Sequence, residues 1–171
     1  EGAMTQVWPS ALFIAFLVVQ RLAELAIARR NTARLLAQGA VEHGAAHYPL
    51  IVALHASWLA AIALWGWGEA VRPVWLALFA ALQLARLWVL ASLGPRWTTR
   101  IIVLPQPLVA CGPFRWLRHP NYTVVVAEIA VAPMVLGLAW VAVVFSVLNA
   151  LVLWVRIRAE NAALASLRPL A

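Results

Sequence analysis

The chain has no lysine and no aspartate, a single cysteine (Cys111), two tyrosines and two methionines. One cysteine excludes an intrachain disulfide and leaves the redox compartment undetermined. There is no CxxC or HExxH pattern. His43 and His47 stand four apart but have no third ligand nearby, so no metal site is expected. Charge itself is scarce at 11% of residues, against 65% hydrophobic. A soluble domain is nearer one quarter charged and half apolar, so this is the composition of an integral membrane protein.

The 171 residues suffice for a few spans of roughly 20 residues each, with no room for a separate soluble domain. Residues 1–171 are read as one transmembrane domain; Glu1-Gly2-Ala3 before Met4 looks like an artificial extension and is set aside. The first apolar stretch is too long for a signal peptide and is expected to be retained.

About five spans are predicted: Val7 to Ala28, Tyr48 to Trp65, Pro73 to Leu93, Pro120 or Asn121 to Ala132, and Leu138 to Arg158. Pro73 suits a helix first turn. The run Pro133-Met134-Val135-Leu136-Gly137 is too short to cross anything, so the last two spans form a tight helical hairpin. A short helix from Ala159 to Leu167 continues span five. The fold class is therefore all-α, integral to the membrane.

The net charge of +7 comes from thirteen arginines against six glutamates. Nucleic-acid binding needs a soluble basic face, which this chain lacks; arginine in a membrane protein instead sets topology. Arg29, Arg30 and Arg34 follow span one, Arg96, Arg100, Arg115 and Arg118 follow span three, and Arg156, Arg158 and Arg168 close span five. Only Arg72 lies on the other side, and Arg21 and Arg86 sit within spans. The asymmetry predicts a cytoplasmic C-terminus and an external N-terminus. Trp8, Trp65, Trp67, Trp75, Trp97, Trp116 and Trp140 fall near span ends, as interfacial anchors do.

Polar residues in so apolar a chain mark either paired groups or a site. Arg118-His119-Pro120-Asn121-Tyr122 lies where an arginine-rich loop meets an apolar helix. On span five, Asn149, Arg156 and Glu160 share one helix face at spacings of seven and four. Arg156 and Glu160 admit two readings, an i, i+4 ion pair or a polar stripe in which the arginine holds a carboxylate or enolate. Glu128 is on the same face of span four as Asn121, and is open between a structural pair with Arg86 or Arg21 and a site wall. Gln20, Arg21 and Glu24 read as a self-neutralised, interhelically bonded group. The loop from Gly94 to Arg118 alternates apolar stretches with Pro and Gly turns, a composition that folds back over a bundle as a lid.

The block Leu108-Val109-Ala110-Cys111-Gly112-Pro113-Phe114 through Arg118-His119-Pro120-Asn121-Tyr122 resembles the LVxxGxYxxxRHPxY signature of the isoprenylcysteine carboxyl methyltransferase family. Arg156, Glu160 and Leu164 resemble its RIxxEExxL tail. Arg29-Arg30-Asn31, Val41-Glu42-His43-Gly44 and His47-Tyr48-Pro49 look like a bacterial branch, some members of which methylate long-chain polyketide phenols or pyrones. The resemblance implies an S-adenosylmethionine-dependent O-methyltransferase whose cytoplasmic cofactor pocket lies within about residues 94–168. It implies cofactor contacts from Leu108, Val109, His119, Tyr122 and Glu160, with Arg156 orienting the acceptor oxygen. Arg156 and Glu160 are then the catalytic candidates, and Arg156, Asn149 and Glu128 the substrate-binding ones. The implied substrate is lipophilic or prenylated, drawn from the membrane, and the implied state is a monomer. The chain departs from the family pattern at Asn161, where a second Glu is usual, at Phe114 for Tyr, and at Val124 for Gly. Phospholipid N-methylation remains an alternative, as does a small membrane transporter or scaffold without catalytic activity.

Overall fold

The computed structural model describes residues 2–165. Five helices dominate it: α1 (Gly2–Ala37), α2 (Tyr48–Gly66), α3 (Pro73–Leu93), α4 (Pro120–Val135) and α5 (Ala139–Leu164). Two three-residue strands, β1 (Val41–His43) and β2 (Ile101–Val103), pair antiparallel with Glu42 opposite Ile102. Four of the helices are long and apolar enough to cross a membrane, and α4 is a shorter apolar helix. The protein is an all-α, multi-pass membrane protein.

The expected α3 coincides with the observed one, while α1 runs nine residues past the expected Ala28. The extension is Arg-, Ala- and Leu-rich, good helix-forming residues that need no membrane around them. It ends where Gly39 takes a left-handed φ of 89°. The segment expected as a short helix after span five continues α5 without a break to Leu164; Leu167 and Arg168 lie outside the described residues.

A second boundary correction is in α4, which passes through Pro133 and ends at Val135 instead of stopping at Ala132. A proline inside a helix leaves the carbonyl four residues earlier without its donor. That carbonyl belongs to Ile129, and the indole Nε1 of buried Trp58 donates to it at 3.2 Å. An interhelical hydrogen bond thus replaces the one that Pro133 removes. The expected hairpin follows: Gly137 N bonds Met134 O at 3.0 Å and Leu138 N bonds Pro133 O at 2.9 Å, a turn that Gly137 allows with φ of 70°.

Packing divides the bundle in two. Phe13, Leu17, Trp58, Ile62, Phe79, Ile129, Val141 and Phe145 build a buried core toward the α2–α3 and α4–α5 turns. Arg72 closes that end, its N–H donating to Val135 O at 2.8 Å. The other half, formed by the C-terminal halves of α1, α3 and α5 and the N-terminal halves of α2 and α4, surrounds a cavity. Nearly all the remaining helix-end arginines of the described chain are at the cavity end.

Candidate active site

The cavity has a volume of about 460 Å³, within the range of small-molecule sites. Helices from every part of the chain line it, and the segment from Arg96 to Val109 roofs it. Side chains pin the roof. Asn31 Nδ2 donates to Trp97 O at 2.8 Å, Thr32 and Thr98 hydroxyls meet at 2.7 Å, and Tyr48 and Thr99 hydroxyls at 2.9 Å. Arg100 bonds Glu42 at 2.7 Å across the strand pair and lies over the Tyr48 ring. Trp97, expected at the interface, is instead buried beneath this roof, because the chain after α3 turns back over the bundle.

The two motif segments, forty residues apart in sequence, meet on one wall. Pro120 opens α4 at its first turn, and His119 is the N-cap residue without making a side-chain cap. Its ring is left to reach α5, where Nε2 lies 3.0 Å from Asn161 Oδ1. Tyr122, one turn further, accepts from Arg156 Nε at 3.1 Å and donates its hydroxyl proton to Glu160. Arg156 also donates through Nη2 to the Thr99 carbonyl of the roof. Arg156 is buried although charged, a position that requires such partners.

Of the two readings left open for Arg156 and Glu160, the direct ion pair does not form; among the described residues the two meet only through the Tyr122 hydroxyl. The i, i+4 geometry puts them on one face, but Tyr122 from α4 inserts between them. Leu108, Val109, His119, Tyr122, Asn149, Arg156 and Glu160 all line the cavity. Glu128 does not. Its carboxylate accepts from Arg86 Nη1 at 3.0 Å, Arg21 Nη2 at 3.1 Å and Gln83 Nε2 at 3.2 Å. Arg86 in turn grips Glu24, with Nη2 to Oε2 at 2.6 Å, and Gln20 bonds Gln83. Two guanidiniums and two carboxylates from three helices thus neutralise one another in the interior, the structural pairing that sequence left open. Arg21 and Arg86 do line the cavity, so Glu128 bears on it only through them.

Sequence reasoning missed Thr99 and Asn161 as partners of Arg156 and His119, and missed His55 on the α2 wall entirely. Backbone carbonyls carry no sequence signal, and one histidine in an apolar helix has no spacing partner to announce it. Asn161 carried a signal, as a departure from the family tail at a position one residue after Glu160.

The structure is thus a multi-pass helical bundle with a roofed cavity, on one wall of which His, Tyr, Arg and Glu side chains gather. The model of the Isoprenylcysteine carboxyl methyltransferase (ICMT) family matches residues 75–166, more than half of the chain and all of that wall from α3 onward. The chain is also 42% identical over 161 residues, covering 90% of itself and 95% of the relative, to "Uncharacterized protein YpbQ" of Bacillus subtilis (strain 168). No solved structure matches. The chain belongs to the isoprenylcysteine carboxyl methyltransferase family and is a membrane methyltransferase.

Proposed function

We propose that the protein is an S-adenosylmethionine-dependent O-methyltransferase whose acceptor is a lipophilic molecule carrying a carboxylate or an acidic hydroxyl. The observation that carries this reading is the bridge Arg156–Tyr122–Glu160, which joins α4, α5 and the roof on the cavity wall.

The donor set fits the cofactor. Glu160 places a carboxylate where a cationic ligand gains from it, and the aromatic rings of His119 and Tyr122, 5.4 Å apart, offer a flat face beside it. Leu108 and Val109 in the roof supply an apolar surface for a purine. When bound, S-adenosylmethionine supplies an electrophilic methyl group on a sulfonium.

Displacement at that methyl needs alignment and dryness more than proton transfer. Arg156 uses two of its five N–H donors on Tyr122 and Thr99. The other three remain for an acceptor oxygen, which paired hydrogen bonds would orient. A carboxylate arrives ionised and needs no base; for an acidic hydroxyl, Glu160 through Tyr122 gives the proton a path away from the acceptor. Asn149, buried two helical turns before Arg156, lines the route inward. The pinned roof keeps bulk water from the reacting end. The acceptor enters from the bilayer, and the arginine-rich cavity end faces the cytoplasm, where the cofactor is. One chain surrounds the cavity, which supports a monomer as the working unit.

The test is to incubate nanodisc-embedded protein with methyl-labelled S-adenosylmethionine and a membrane lipid extract, and to identify labelled products by mass spectrometry. O-methylation predicts a lipid heavier by one methylene whose label, if an ester, leaves as methanol in alkali. Label held on an amine would assign N-methylation instead, and no labelled lipid with any extract would remove the proposal.

A further inference from the structure

The inner end of the cavity holds polar groups that the methyl-transfer wall does not use. Val18, Leu22, Leu25, Ile51, Val52 and Leu59 make this part apolar, yet Arg21 and His55 also line it. Both are held in place by Trp58. The Arg21 guanidinium lies 5.6 Å from the indole centroid, and the His55 ring meets it edge-on at 6.5 Å. Trp58 is itself fully buried and fixed by its bond to Ile129.

Neither group is satisfied. His55 lines the cavity, and its shielded Nδ1 has no partner. Arg21 hydrogen-bonds Glu128 through one N–H and stands 3.5 Å from Glu24, while its shielded Nε has no partner. Arg86, by contrast, commits three donors to Glu24 and Glu128. The cluster is charge-balanced, two arginines against two glutamates. An added anion or cation would leave uncompensated charge in the membrane interior. A neutral oxygen would not: it accepts from Arg21 and, as a hydroxyl, also donates to the His55 ring.

We propose that this inner end is a second recognition point, which binds a neutral hydroxyl or carbonyl oxygen of the lipophilic acceptor, separate from the oxygen that is methylated. The inference rests on the cavity being the acceptor site of the proposed methyltransferase. It narrows the acceptor to lipids bearing two oxygen functions, one at Arg156 and one at Arg21 and His55.

The experiment measures retention of tritiated pentadecan-2-ol and tritiated pentadecane by nanodisc-embedded protein, with empty nanodiscs correcting for partition into lipid. The wild type is expected to hold the alcohol about tenfold more tightly than the hydrocarbon, the scale of one net hydrogen bond to a charged donor. His55→Leu should cut that preference to about threefold or less. Arg21→Lys keeps the cluster's charge but not the guanidinium, should do the same, and carries the test if His55→Leu does not elute as a folded protein. Equal retention by the wild type, or an undiminished preference in a folded variant, overturns the inference. S-adenosylmethionine binding by the same wild-type nanodiscs separates the two readings. A lost alcohol preference with intact cofactor binding sinks only this site, whereas absent cofactor binding with an intact preference sinks the methyltransferase reading.

Discussion

His119 Nε2 and Asn161 Oδ1 stand 3.0 Å apart, joining the histidine of one motif to the residue at which the other departs from its family pattern. The amide fills the place of a second glutamate and still gives the imidazole an acceptor. Asn161→Leu removes that acceptor and frees the ring to turn. S-adenosylmethionine affinity is expected to fall about fivefold, the scale of one lost hydrogen bond. Asn161→Glu, which restores an acceptor, should recover most of it in the same calorimetric titration.

Among the described residues, Tyr122 is the single link between Arg156 and Glu160. Tyr122→Phe keeps the ring and removes both bonds. The buried guanidinium of Arg156 then loses a partner, at about 1–3 kcal/mol. The cofactor dissociation constant should rise about tenfold or more, with a melting temperature lowered by a few degrees. A variant with wild-type affinity would place the cofactor elsewhere.

Trp58 and Pro133 form a second testable pair through the Ile129 carbonyl. Trp58→Phe should destabilise the protein by about 2 kcal/mol or more, from an orphaned carbonyl and a smaller side chain. In the Pro133→Ala background the helix supplies its own N–H to that carbonyl, so the same substitution should cost about 1 kcal/mol less. Thermal melts of the four proteins of this cycle measure the coupling.

Glu128 balances Arg21 and Arg86. Glu128→Leu leaves one carboxylate against two guanidiniums in an apolar interior. A loss of about 3–5 kcal/mol is expected, the cost of breaking a buried pair from one side. Glu128→Leu combined with Arg21→Leu restores charge balance and should recover a large part of the melting temperature.

Hydropathy made the bundle legible because length and apolar run determine a span: α3 was readable to the residue and α2 to within one. What failed were features decided by tertiary contact. Pro133 read as a helix stop because the donor that compensates for it, Trp58, lies 71 positions before the Ile129 carbonyl it serves. The β1–β2 pair was invisible, since three-residue strands carry too little periodicity to register. In the site, His119, Tyr122, Arg156 and Glu160 were readable because charged and hydroxylated side chains are rare in this chain. Their wiring was not, because Tyr122 and Thr99 intervene from other elements.

The most direct measurement is S-adenosylmethionine binding by calorimetry, on the nanodisc-embedded wild type and on the Arg156→Ala, Glu160→Ala double variant. The account predicts micromolar binding by the wild type, lost in the double variant while its helical circular dichroism is retained. No binding by a folded wild type, or equal binding by both proteins, would contradict it.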